Sequence, residues 1–184
     1  MLLDLLAPYR SAGATVLDIG GGIGIIDQEL LRAGAGHAVL VDGSTAYLEV
    51  ARQEARRLNL LDRIEFVEGD FVRRAAAIDP ADIVTLDRVV CCYPDAEALV
   101  GLSSARARTV YGLVLPRDRR LVRIGFRLEN LWFRLRRSAY RAYVHPTARV
   151  DAIVAANGLR VISERRTAFW RVVVYDRATT AIDA

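Results

Sequence analysis

The stretch Val16-Leu17-Asp18-Ile19-Gly20-Gly21-Gly22-Ile23-Gly24 decides the fold of this chain. Apolar residues interrupted by one acid read as a short buried strand. The glycines break it, and a helical apolar face resumes with Ile25, Ile26, Leu30 and Leu31. The spacing is Asp-x-Gly-x-Gly-x-Gly. Glycines at 20, 22 and 24 permit a sharp turn and a close approach to a ligand, because a Cβ there would block the dihedrals or the contact. The helix start behind the turn leaves its first N–H groups free. Such a turn suits an adenosine-containing cofactor.

Working outward, the same alternation repeats. His37 to Val41 reads as a second strand closed by Asp42-Gly43-Ser44, with Ser44 or Thr45 capping a helix that runs to about Leu58. Arg63 to Val67 is a third strand ending at Gly69-Asp70-Phe71, and Asp82 to Leu86 is a fourth ending at Asp87. A helix from Pro94-Asp95 to about Arg106 precedes a fifth strand, Arg108 to Leu115. After an insert at about 117–146 come a helix to Ala156 and two strands, Leu159 to Arg166 and Phe169 to Tyr175, joined too tightly to be parallel. The expected fold class is α/β: a doubly wound, mostly parallel seven-stranded sheet with an antiparallel final strand and helices on both faces. One domain spanning 1–184 is expected. Ligands of such sheets bind beyond the carboxyl ends of the strands, where the glycine turn, Asp42, Asp70 and Asp87 all fall.

Spacing separates two cofactor classes. A dinucleotide turn needs Gly-x-Gly-x-x-Gly, and counting from Gly20 the last glycine would fall on Ile25. The observed spacing instead resembles motif I of the class I S-adenosylmethionine-dependent methyltransferases. Asp42 resembles their ribose-binding acid, Gly69-Asp70-Phe71 their third motif, and the closing antiparallel pair their sheet edge. The resemblance runs from Thr15 to Tyr175 and implies S-adenosyl-L-methionine as cofactor. It implies Asp18, Gly20, Gly22, Gly24, Asp42, Gly43, Asp70 and Phe71 as the cofactor-binding set. In it Asp18 orients the loop and the amino-acid end of the cofactor, Asp42 accepts from the ribose hydroxyls, and Asp70 accepts from the adenine amino group while Phe71 lies against the ring. Members also carry one or two helices before motif I, where this chain has only Met1 to Pro8. Cover for the site is therefore expected from a truncated start, from a homodimer or partner chain, or not at all.

Methyl transfer from a sulfonium is an in-line displacement that needs positioning first, and a base only when the acceptor must lose a proton. The fourth motif, Leu86-Asp87-Arg88-Val89-Val90-Cys91-Cys92-Tyr93-Pro94, is not the Asn-Pro-Pro-Tyr type of amide and nucleobase N-methyltransferases. Nor is there an acidic set for a metal. The catalytic candidates are Asp87 near the methyl donor, Tyr93 lining the acceptor pocket and His145 as a base. Each has a structural alternative: a salt bridge with Arg88, ordinary packing, and helix entry before Pro146. Cys91 and Cys92 are expected to pack beside Val89 and Val90, and His37 to lie at the far end of the sheet. The expected reaction is O-methylation of a small-molecule acceptor. The alternative is a non-catalytic module of the same fold that binds a partner or membrane.

Composition bounds the rest. The chain has 184 residues, formal charge +4 and a basic complement that is entirely arginine. The first residues lack a signal-peptide pattern and no apolar run reaches membrane-spanning length, so a cytoplasmic protein is expected. Positive charge concentrates between Arg117 and Arg141. There Leu121, Ile124, Leu128, Leu131 and Leu135 form a helical stripe, with Phe126, Trp132 and Phe133 beside it. This segment is expected to act as a lid with its apolar face inward, to hold an acidic or planar substrate, to lie on an anionic membrane, or simply to be a solvated face of a packed helix. Nucleic acid is the weaker partner, because exposed interleaved aromatics are not evident.

Overall fold

In the computed structural model, residues 1–177 are described. Seven strands form one sheet in the order β3-β2-β1-β4-β5-β7-β6. They are β1 (Thr15–Ile19), β2 (His37–Asp42), β3 (Ile64–Glu68), β4 (Ala81–Asp87), β5 (Ala107–Pro116), β6 (Leu159–Arg166) and β7 (Trp170–Arg177). The first five are parallel, and β7 runs antiparallel to both β5 and β6. The expected sheet is therefore present, final antiparallel strand included.

The helices are α1 (Leu2–Leu6), α2 (Ile25–Arg32), α3 (Thr45–Arg57), α4 (Phe71–Arg74), α5 (Ala96–Ala105), α6 (Arg120–Leu135) and α7 (Thr147–Ala156). Side-chain alternation along β1 explains the layering. Leu17 and Ile19 join a core with Val84, Leu86, Leu99, Tyr111 and Val154 beneath α5 and α7. Val16 joins the opposite core with Leu30, Leu40, Leu48, Ile83 and Val110 beneath α1, α2 and α3. Asp18 shares parity with Val16, so this acid points into the second core. Leu17→Ala would remove contacts on a fully buried side chain and cost about 2–5 kcal/mol.

Caps set the helix starts. Ser44 Oγ accepts from the Tyr47 amide at 3.3 Å, Asp70 Oδ1 from the Val72 amide at 2.9 Å and Asp95 Oδ1 from the Ala98 amide at 3.0 Å. Strand order reverses between β1 and β4, since β2 and β3 lie to one side and β4 and β5 to the other. That reversal opens a crevice at the carboxyl ends of these strands.

A candidate cofactor and acceptor crevice

The glycine turn bridges β1 and α2. Gly20, Gly22 and Gly24 have φ of +65°, +59° and +81°, the left-handed region in which a side chain is strained. At Gly20 space forbids one as well: a Cβ would lie 2.5 Å from Val89 Cγ2. A Cβ on Gly21 would lie 2.5 Å from Asp18 Oδ2, so the loop closes directly over that carboxyl. Asp42, at the end of β2, ties the turn to its neighbour by accepting from the Gly22 amide at 2.9 Å and the Ser44 amide at 2.7 Å. Gly43 is exposed in the same bend.

Asp18 is buried and accepts from Thr85 Oγ1 at 2.7 Å through Oδ1. Its Oδ2 meets no hydrogen-bond partner among the described residues. Burial pushes its pKa up to about 7 despite the Thr85 hydrogen bond, and the charges of Asp87 and Asp42 add to the rise. Beneath the loop lies a second such acid, Asp27 of α2, fully buried and with both oxygens unpartnered. Burial and then the Asp18 charge raise its pKa to about 8. Asp27 was absent from the expected site. A signal existed, since it precedes Leu30 and Leu31 by three and four residues and so falls on the buried stripe of α2.

The third expected acid has a double role. Asp70 caps α4, and both its carboxylate oxygens accept from Tyr93 Oη at 3.1 Å. Phe71 turns inward; its ring is 4% exposed in the core with the Arg106 guanidinium 5.9 Å from its centroid. Little of that ring is exposed.

The three catalytic candidates are not gathered in one place. A cavity of about 580 Å³ opens beside the glycine loop, lined by Asp18, Gly21, Gly22, Asp87, Arg88, Cys91, Cys92, Tyr140 and Trp170, with Tyr47 and Ile25 at its edge. Of the three catalytic candidates only Asp87 lines it, paired with Arg88 Nε at 3.2 Å. Tyr93 is drawn to Asp70 instead. His145 Nε2 lies 3.1 Å from the Tyr93 carbonyl oxygen, and its ring stacks on Tyr143. It borders a separate cavity of about 420 Å³ with Pro94 and Arg149. The three therefore do not share one cavity. Tyr140 and Trp170 line the crevice, where Tyr93 and His145 do not; as residues of an irregular segment and of the start of β7, they carried no motif that could have marked them.

The cysteines also depart from simple packing. Cys91 is buried, but Cys92 is exposed, its Sγ 3.7 Å from Cys91 Sγ and 3.2 Å from Tyr140 Oη. The Cys91 hydrogen bond lowers the Cys92 pKa to about 6, opposed by partial burial and helped by Tyr140. A larger cavity, about 650 Å³, runs from the amino ends of β1, β2 and β4 along the β3 edge. It holds none of the expected cofactor or catalytic residues, so volume alone would mislead. His37 borders it, at the far end of the sheet as expected. No helix among the described residues is long and apolar enough to cross a membrane.

Known proteins are similar to this chain in sequence over its first half and in fold over nearly its whole length. The family model described as a methyltransferase domain matches residues 16–109. A ubiquinone/menaquinone biosynthesis C-methyltransferase, UbiE, of Roseobacter denitrificans is 35% identical over 86 residues, 46% of this chain and 34% of that protein. The ribosomal protein L11 methyltransferase of Pelotomaculum thermopropionicum is 32% identical over 74 residues, 40% of this chain and 24% of that protein. The matched segment spans about a third or less of these relatives. Among solved structures, magnesium protoporphyrin IX methyltransferase from Synechocystis PCC 6803 with bound SAH superposes with TM-score 0.77 at 22% identity, over 96% of this chain and 80% of that one. An O-methyltransferase family protein from Burkholderia thailandensis gives 0.74 at 19%, over 95% and 55%. The glycine turn, the acids at successive strand ends, the sheet order and the match over 16–109 lead to one conclusion: the chain belongs to the class I S-adenosylmethionine-dependent methyltransferases.

Proposed function

We propose that this protein transfers a methyl group from S-adenosyl-L-methionine to an oxygen of an acidic small molecule. The observation that carries the reading is the buried Asp18 carboxyl, with one oxygen unpartnered under a glycine loop and at the wall of a cavity that also holds Arg88. An unpartnered buried oxygen is costly unless a ligand donor completes it. In this reading Asp18 holds the amino-acid end of the cofactor, the glycines at 20, 22 and 24 let the backbone approach it, and Asp42 and Gly43 face its ribose. Asp70 accepts from its adenine. Phe71 supports Asp70 from the core rather than stacking. The bound cofactor supplies an electrophilic methyl on a sulfonium.

What the chain does is hold the acceptor in line and exclude water. Arg88 has φ of +60°, a strained conformation for a non-glycine residue that sets its guanidinium at the cavity beside Asp87. A guanidinium there stabilises an ionised phenol or carboxylate, so the acceptor oxygen arrives already deprotonated and no separate base is required. Tyr140 and Trp170 form the apolar wall that seats the rest of the acceptor.

Calorimetric titration with S-adenosylhomocysteine tests the donor half; a folded sample that takes up none overturns it. Asp42→Ala is expected to weaken that binding at least tenfold without unfolding the chain. A second reading, methylation at carbon, is favoured by the identity with UbiE over the cofactor half. Product analysis separates the two: an O-methyl ester or ether has a methyl resonance shifted by oxygen, whereas a C-methyl product does not.

A further inference from the structure

Helix α6 turns its apolar stripe away from the protein. Leu121 is 82% exposed, Leu135 73% and Leu128 62%, and Ile124, Leu131 and Trp132 are each about half exposed or more. At 100° per residue these six span an arc of about 100° on one face. The helix rests on the body through its other side, where Val122 is buried and Phe126, Asn130 and Phe133 are half-buried. Asn130 clamps the following segment by accepting from the Ala142 amide at 2.8 Å and donating to the Ala142 carbonyl at 2.7 Å. The expectation of an apolar face turned inward as a lid is thus reversed. A contiguous patch of this kind exceeds what scattered surface leucines produce and marks an interaction surface.

Charge selects the partner. Arg120, Arg123, Arg127 and Arg134 line one flank of the stripe, and Arg136 stacks on Trp132 with its guanidinium 4.2 Å from the ring centroid. Of these only Arg123 has a carboxylate partner, Asp118, among the described residues. Pairing with the same helix of a second copy in antiparallel register would set arginine flank against arginine flank. Nucleic acid would leave the leucines wet, since aliphatic side chains do not stack on bases. An anionic bilayer satisfies both halves, taking the apolar stripe below its headgroups and the arginines among its phosphates.

We propose that α6 docks this protein on an anionic membrane surface. Together with the methyl-transfer reading, on which this step rests, docking would set the crevice at the bilayer. Phe133 of α6 packs edge-on against Tyr140, centroids 5.0 Å apart, and Tyr140 lines the crevice. An acceptor with an apolar body dissolved in the bilayer would then enter without crossing water.

The test uses vesicles of phosphatidylcholine with and without 30 mol% phosphatidylglycerol (roughly a physiological anionic surface). Trp132 and Trp170 are the two tryptophans, so a Trp170→Phe background makes Trp132 the sole fluorescent reporter. The expected result is co-sedimentation with the anionic vesicles, a blue shift of Trp132, and at least tenfold weaker partitioning in Leu128→Glu or in an Arg120→Gln/Arg127→Gln pair. No partitioning of the folded chain, or partitioning that Leu128→Glu leaves unchanged, overturns the proposal. So does a dimer in solution that Leu128→Glu dissociates while neither vesicle is bound. Titration with S-adenosylhomocysteine on the same sample reports separately on the methyl-transfer reading, which survives a failure at the membrane.

Discussion

Burial raises the pKa of two carboxyls beside the glycine loop, Asp18 and Asp27. An unfolded aspartate ionises near pH 4, whereas burial pushes Asp27 to about 8. Between those values the native state holds more protons than the unfolded one, so its stability falls as pH rises toward 8. Asp27→Asn removes that dependence and is expected to raise Tm at pH 8.5 by about 3 °C or more, with a smaller effect at pH 5, as read by calorimetry. Asp18 predicts a linked effect on binding. If it pairs with the ammonium of the cofactor it must ionise from a raised pKa of about 7. Affinity for S-adenosylhomocysteine should then rise between pH 6 and 8 with release of a proton, and titration in buffers of different ionisation enthalpy measures it. Asp18→Asn should abolish the release. Cys92 carries a third prediction. Its lowered pKa and exposure favour the reactive thiolate, so iodoacetamide should label Cys92 and spare the buried Cys91, whose pKa is raised, in a peptide map at pH 7.

Among elements, the glycine loop was legible because its requirement is local. Positive φ at three alternate positions admits little but glycine, and the spacing announces it. Gly20→Ala combines a strained dihedral with a 2.5 Å approach to Val89, so it is expected to displace the loop and lower cofactor affinity at least tenfold while leaving β1 paired. Trimming Val89 should recover only part of the loss, because the dihedral strain stays. The wall of the crevice was not legible for the opposite reason. Tyr140 reaches the crevice only because Asn130 fixes residue 142 and Phe133 packs against its ring, contacts made across turns that no spacing rule anticipates. Tyr93 and His145 sit in the expected order along the chain, yet a hydrogen bond holds Tyr93 on Asp70, while His145 lies against the Tyr93 carbonyl and borders the neighbouring cavity.

At the scale of the whole molecule, the sheet places the acids of β1, β2 and β4 at one rim because parallel strands all end on the same side. A ligand held by several strand ends at once binds the native state alone. S-adenosylhomocysteine at a hundred times its Kd should therefore add about 2.7 kcal/mol of stability, visible as a rise in Tm of several degrees.

The amino-acid sequence by itself determined the sheet, the glycine turn and the family. These depend on alternation, helical period and backbone freedom, properties each segment carries within its own few residues. Only the tertiary structure decided which acids are buried, which side chains share the crevice and which way α6 faces. A hydrophobic stripe says that one face avoids water but not whether the protein covers it, and an aspartate says nothing of its charge until packing removes its solvent. In α6 the body buried Val122, half-covered Phe126 and left Leu121, Leu128 and Leu135 outside; beneath the glycine loop it closed over Asp18 and Asp27.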